Sequence, residues 1–201
     1  MLIKIFDLLF SFLLLIILFP FFIIISLAIV VDSKGGVFYL QNRVGFKGKE
    51  FKLYKFRTMY VDSDKEGLLT IGAKDMRITK VGIVLRKYKL DEIPQLLNVL
   101  IGNMSFVGPR PEVKKYVDFY SEEQRKILNV KPGITDCASI VYYKESEMLS
   151  NPVDPEKKYI NEIMPKKIKL NMTFIDNYNF KTYFNILLKT FFKIIKSIGK
   201  N

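Results

Sequence analysis

The run Leu8–Val31, LLFSFLLLIILFPFFIIISLAIVV, carries no charged residue, and only Ser11 and Ser26 in it are polar. A helix needs about 20 apolar residues to cross the hydrocarbon of a bilayer, and this run offers about 24. A secretory signal would have a shorter apolar core followed by a small-x-small cleavage site, a pattern this sequence lacks. A helix buried in a soluble core would show a polar face. The run therefore reads as membrane-embedded, and residues 1–34 as a unit set apart from 35–201.

Pro20 sits in the middle of the run, where it deletes a backbone hydrogen bond and crowds the preceding turn, so a kink is expected. Two geometries follow. One is a kinked helix that passes straight through; the other is a helix–break–helix that enters and leaves by the same leaflet. Lys4 precedes the run, and Lys34, Arg43, Lys47 and Lys49 follow it, as expected if both ends remain on the cytoplasmic side.

The C-terminus repeats the membrane theme. Phe184, Leu187, Leu188, Phe191, Ile195 and Ile198 recur at helical spacing, with Lys181, Lys189, Lys193, Lys196 and Lys200 among them. Over about 181–200 this reads as a basic amphipathic helix in the interface of an anionic phospholipid membrane. The alternative is a helix packed on the core with a solvated lysine face.

Composition narrows the chemistry. The net charge of +12 points to an anionic partner, whether nucleic acid, lipid or phosphorylated substrate. The chain has no His, which excludes an imidazole base, nucleophile or metal ligand, and the single Cys137 excludes an intrachain disulfide and a cysteine zinc site. Carboxylates, Lys, Arg, Tyr and hydroxyls remain, and any metal should be a hard ion held by oxygens, such as Mg²⁺.

Between the two membrane segments the pattern predicts an α-rich α+β domain. Val37 to Met59 reads as short strands, with Lys55 and Arg57 on one side and Tyr54 and Phe56 on the other. Asp62 to Lys74 reads as a loop, Val81–Tyr88 and Ile93–Val99 as helices, and Glu112–Leu128 as one charged amphipathic helix. Asp154 and Pro155 should cap a helix that reaches Met164 and stops at Pro165.

Two stretches hold the candidate chemistry. In Arg86-Lys87-Tyr88-Lys89-Leu90-Asp91-Glu92, adjacent carboxylates stand at a helix start behind a run of cations. Adjacent helical residues point about 100° apart, which suits two jobs, such as attacking group and metal ligand or base. The plainer reading is an Asp cap with Glu complementing the helix dipole. In Gly108-Pro109-Arg110-Pro111, flanking prolines stiffen the presentation of a guanidinium suited to bidentate phosphate capture, although an isolated Pro-Arg-Pro also fits an exposed turn.

Taken in order, LYKFRTM (Leu53–Met59), LDEIPQL (Leu90–Leu96), GNMSFVGPRP (Gly102–Pro111) and KPGIT (Lys131–Thr135) resemble the monotopic bacterial phosphoglycosyl transferases, the initiating sugar transferases of glycoconjugate and exopolysaccharide synthesis. The resemblance covers nearly the whole chain. It implies a re-entrant N-terminal helix, a bacterial inner-membrane location with the catalytic domain on the cytoplasmic face, and no nucleic-acid partner. It also implies two-step chemistry in which Asp91 attacks the β-phosphate of a UDP-sugar, releases UMP and forms a covalent phosphosugar intermediate. Polyprenyl (undecaprenyl) phosphate then takes the sugar 1-phosphate, and downstream glycosyltransferases use the product. By the same likeness Asp91 and Glu92 are the catalytic and Mg²⁺-binding candidates, with Glu92 a metal ligand or a base, and Lys55, Arg86 and Arg110 bind phosphate.

The chain departs from the family pattern in places. Asn103 stands where many members have Asp, and Phe19 where a Ser commonly precedes the membrane proline. After KPGIT many members continue G-L-A-Q-V-N-G-R, whereas this chain has Asp136-Cys137-Ala138-Ser139-Ile140-Val141, so donor recognition is expected to differ there. A competing reading is a non-catalytic, membrane-anchored basic module, which would interleave aromatic and basic residues on one surface and need no carboxylate pair.

Overall fold

Helix α1 (Leu2–Asp32) contains the whole apolar run. Among the described residues it is the one helix long and apolar enough to cross a membrane, and almost none of its most apolar window is buried. The structure, a computed structural model, describes residues 1–63, 75–143, 145–149 and 153–198. Most of the loop expected at Asp62–Lys74 lies outside these residues, as does Lys200.

Pro20 lies inside α1, and the helix continues through it without the break expected there. A proline removes one intrahelical bond, and packing on either side holds the remaining turns. Phe6, Phe10, Leu14 and Leu18 pack on a core of Leu53, Leu96, Met104, Phe106 and Tyr183. Beyond the proline, Phe22, Ile25 and Ile29 pack with Phe56 and Leu85. Phe12, Ile16, Phe19, Ile23, Ile24 and Leu27 face outward, exposed.

Both ends of α1 are tied to the same body. Near the start, Asp7 is 6% exposed. Its carboxylate accepts from Ser105 Oγ at 2.7 Å, from the Phe106 N–H at 3.3 Å and from the Tyr183 hydroxyl. At the far end, Asp32 Oδ2 accepts the Val81 N–H at 2.8 Å, and Arg57 donates to the carbonyls of Ser33 and Lys34. Such bonds satisfy a carboxylate that burial would otherwise penalise.

The expected strands form a hairpin, β1 (Phe38–Val44) against β2 (Glu50–Phe56), antiparallel with Phe38 opposite Phe56 and Val44 opposite Glu50. Helices α2 (Lys80–Lys87), capped by Thr79, and α3 (Gln95–Leu100) occupy the two expected helical stretches. A parallel pair, β3 (Ser105–Val107) and β4 (Gly133–Thr135), joins two motifs distant in sequence. Neither strand is visible as a pattern, because three residues carry no periodicity.

Two expected helices are corrected. Glu112–Leu128 is not continuous: it divides into α4 (Lys114–Val117) and a 3₁₀ segment at Gln124–Asn129. Ser121 and Gln124 exchange side chain–backbone bonds between them, an alternative to helical bonding. The Asp154 cap forms as expected, its side chain accepting the Lys157 N–H at 2.9 Å, but the chain does not stop at Pro165. It runs from α7 (Pro155–Lys158) through a π turn at Tyr159–Ile163 into α8 (Met164–Asp176). Pro165 falls in the first turn of α8, where an N–H is not required.

The C-terminal helix is α9 (Phe180–Ile198). Tyr183 and Ile186 bury one face in the core, while Phe184, Leu188, Phe191 and Ile195 are exposed. The buried face fits a helix packed on the core, and the opposite face leaves apolar side chains exposed. Two short helices, α5 (Cys137–Val141) and α6 (Glu145–Met148), complete the wall of the cavity described next.

Candidate active site

A 3₁₀ turn at Leu90–Glu92, entered through Lys89 in the left-handed region, presents the two carboxylates. They are pointed apart, as adjacent residues must be, and meet different surroundings. Glu92 is held by a fork: Arg110 Nη2 lies 2.5 Å from Oε1 and Nη1 3.2 Å from Oε2. Lys55 Nζ, from β2, adds a contact of 3.6 Å to Oε1. Asp91, 8% exposed, has a buried Oδ1 without a hydrogen-bond partner.

The electrostatics follow from this packing. Burial raises the proton affinity of Asp91, and the neighbouring Glu92 charge adds to it. Burial acts in the same sense on Glu92, but Arg110 and Lys55 outweigh it and hold that carboxyl far below the usual range. Lys55 is pushed down to about 8, chiefly by burial. Glu92 raises the Arg110 guanidinium, and burial lowers that of Arg86. One carboxylate of the pair is thus fixed as an anion, and the other is the proton-sensitive member.

Sequence motifs that are far apart meet here for steric reasons. A Cβ on Gly133 would lie 2.1 Å from the Gly108 nitrogen, and one on Gly108 would lie 2.3 Å from the Lys131 carbonyl oxygen. Glycine at both positions lets the Pro-Arg-Pro loop sit against the Lys131–Thr135 segment. The Arg110 N–H then donates to Asp136 Oδ2 at 2.9 Å. Asp136 is fully buried and also accepts from the Ser139 N–H and, at 2.7 Å, from the Asn171 amide.

The structure brings Lys55, Glu92 and Arg110 into direct contact. Arg86 donates through Nε to Thr58 Oγ1 at 2.8 Å and acts on Asp91 through its charge. Glu92 and Arg110 line a cavity of about 540 Å³, next in the fold to Asp91 and Lys55, which are not among its lining residues. Leu14 and Leu18 from α1 and Ile194 from α9 supply an apolar side of this cavity.

Sequence reasoning missed several members. Lys89 was read as one more residue in a basic run, but it lines the cavity with its ammonium 5.6 Å from the Tyr143 ring. Arg43, Glu112, Glu145, Tyr159 and Lys167 line it as well. Only Glu112, next to the Pro-Arg-Pro, had a local signal.

A long apolar helix thus packs beside a buried ion group and a cavity. The model of bacterial sugar transferases matches residues 1–197. The chain is 39% identical over 178 residues to an uncharacterized sugar transferase of Bacillus subtilis (strain 168), covering 88% of this chain and 79% of that one. It is 35% identical over 184 residues to the UDP-N-acetylgalactosamine-undecaprenyl-phosphate N-acetylgalactosaminephosphotransferase of Aeromonas hydrophila, covering 89% of this chain and 39% of the relative. It is also 35% identical over 195 residues to the UDP-glucose:undecaprenyl-phosphate glucose-1-phosphate transferase of Klebsiella pneumoniae, covering 93% and 38% respectively. The chain therefore spans less than two fifths of the length of the latter two relatives. The chain belongs to the bacterial sugar transferase family.

Proposed function

We propose that this chain transfers a sugar 1-phosphate from a UDP-sugar to polyprenyl phosphate at a cytoplasmic membrane face, initiating exopolysaccharide or related glycoconjugate assembly. The observation that carries this reading is the Lys55–Glu92–Arg110 ion group beside Asp91, whose Oδ1 is unpartnered. A carboxylate oxygen of Asp91 attacks the β-phosphorus of the donor. The bond from that phosphorus to the bridging oxygen breaks, UMP leaves with the electron pair, and an acyl phosphate links Asp91 to the sugar. A phosphate oxygen of the acceptor then attacks the same phosphorus. The acyl phosphate bond breaks, the Asp91 carboxylate returns, and the diphosphate-linked product is released.

Arg110, Lys55 and Arg86 offset the phosphate charge as it moves. Glu92, with both oxygens engaged, orients Arg110 and keeps Lys55 cationic. Among the described residues no cluster of three or more acidic, His or Cys side chains could hold a metal alone. The free Oδ1 of Asp91 nevertheless fits Mg²⁺, which binds one or two carboxylates and completes its shell with phosphate oxygens and water. Bound there, Mg²⁺ would neutralise diphosphate charge.

The membrane reading rests on α1. Its outer face is apolar from Leu8 to Val31, and Asp7 and Asp32 at opposite ends bond to the same body, which supports both ends lying on one side of the bilayer. The apolar side formed by Leu14, Leu18 and Ile194 then gives the polyprenyl chain a route from the bilayer to Glu92 and Arg110. A non-catalytic module would leave the buried ion group without a role.

The test uses the full chain in nanodiscs with Mg²⁺, undecaprenyl phosphate and a panel of UDP-sugars, following UMP. Release with one donor, abolished by Asp91→Asn, is expected. Without acceptor, a phosphosugar adduct on the Asp91 peptide should be seen by mass spectrometry. Folded protein that releases no UMP from any donor would overturn the reading.

A further inference from the structure

Beyond Glu92 and Arg110 the same cavity holds a second polar group that the transfer chemistry leaves unused. Lys167, on α8, is 8% exposed. Its Nζ lies 2.7 Å from Glu145 Oε2, 3.9 Å from Glu112 Oε1 and 3.5 Å from the Tyr159 hydroxyl. That hydroxyl donates to Glu112, and Arg43 Nη1 lies 3.6 Å from Glu112 Oε2. All five side chains line the cavity that Glu92 and Arg110 enter.

The chemistry of this group selects among parts of a nucleotide sugar. Its two carboxylates are matched by Lys167 and Arg43, which leaves no surplus positive charge for a diphosphate, whose proposed place is with Lys55, Arg86 and Arg110. The apolar wall of Leu14, Leu18 and Ile194 suits hydrocarbon. A pyranose ring carries hydroxyls that each donate and accept, and carboxylates set beside an ammonium and a phenol meet both needs. Connectivity points the same way. The sugar is bonded directly to the β-phosphate, whereas uracil is separated from it by ribose and the α-phosphate. Glu145 is close enough to Arg110 for its charge to raise the guanidinium's proton affinity, so the second group adjoins the phosphate site.

We infer that Glu112, Glu145 and Lys167 form the subsite for the hydroxylated sugar ring of the donor. This rests on the nucleotide-sugar reading above. Tyr143 and Glu145 lie two and four residues beyond the Asp136–Val141 segment in which the chain departs from its family pattern, and Ser139 and Ile140 of that segment line the same cavity.

The full chain in nanodiscs is titrated with UDP, UDP-glucose and UDP-N-acetylgalactosamine, comparing wild type with Glu145→Gln and Lys167→Met. Glu145→Gln keeps the side-chain shape, so it serves where Lys167→Met fails to fold. Wild type should prefer one UDP-sugar over UDP. Both variants should bind that UDP-sugar about tenfold or more weakly, the expected loss of a charged hydrogen bond, with UDP binding unchanged. Retained preference for the sugar in Glu145→Gln overturns the subsite, as does equal weakening of UDP and UDP-sugar, which would assign the group to the nucleotide. Wild type that binds UDP and both UDP-sugars equally also overturns the subsite while leaving the donor reading intact. Wild type that binds none of the three overturns the donor reading, and the subsite with it.

Discussion

Arg110 grips both oxygens of Glu92, at 2.5 and 3.2 Å, so its guanidinium is held in one orientation by a carboxylate from a different motif. The arrangement explains why neighbouring carboxylates differ. Glu92 is locked as an anion, and Asp91, buried beside it, keeps an unsatisfied oxygen.

The fork gives the first prediction. Arg110→Lys preserves the charge but removes the planar, two-pronged geometry, and kcat/KM for UMP release should fall about 10²-fold. Steady-state kinetics in nanodiscs would check it. A lysine variant within about twofold of wild type would show that charge alone suffices and that the fork is incidental.

The second prediction concerns pH. In the proposed transfer, attack requires deprotonated Asp91, whose proton affinity is raised by burial and by Glu92. The acid limb of kcat/KM should therefore lie above the ordinary carboxylate value of about 4. Phosphate binding requires protonated Lys55, held near 8, so activity should fall as pH rises through about 8. Lys55→Arg, which stays charged, should remove the alkaline limb. A limb unmoved in that variant would assign it elsewhere.

A third prediction concerns Asp136, which takes N–H groups from Arg110, Ser139 and Asn171. Asp136→Asn sets an amide N–H against one of these donors, leaving buried polar groups unpaired at a cost of about 1–3 kcal/mol. Thermal unfolding should show the loss, and the KM for the donor should rise because Arg110 is no longer fixed. An unchanged KM in a destabilised variant would limit Asp136 to a structural part.

The charged residues now seen together were legible as candidates because they cluster in short motifs. Asp91 and Glu92 are adjacent and Arg110 is framed by prolines, although their spacing fits a helix cap and an exposed turn as well, and the roles expected of them came from the family resemblance. The strands of the hairpin and α2 were legible for a related reason: alternation and helical apolar spacing are local signals. The β3–β4 pairing and the contacts of Lys167 and Glu145 were not, because they join residues whose own neighbourhoods carry no sign of the partner. The helix expected over Glu112–Leu128 failed for the same reason, since Glu112 bonds to Tyr159 from outside any helix.

The sequence by itself determined that α1 is long and apolar enough to cross a membrane, that imidazole and thiol-cluster chemistry are absent, and which charged residues are at hand, because hydropathy and residue type are properties of the chain. Only the tertiary structure decided which carboxylate is locked and which is left unpartnered, that α1 is held at both ends by one body, and that the polar group around Lys167 shares the cavity of Arg110. Burial and ion pairing depend on distances between segments far apart in the chain, and close approaches such as that of Gly108 to Gly133 set those distances.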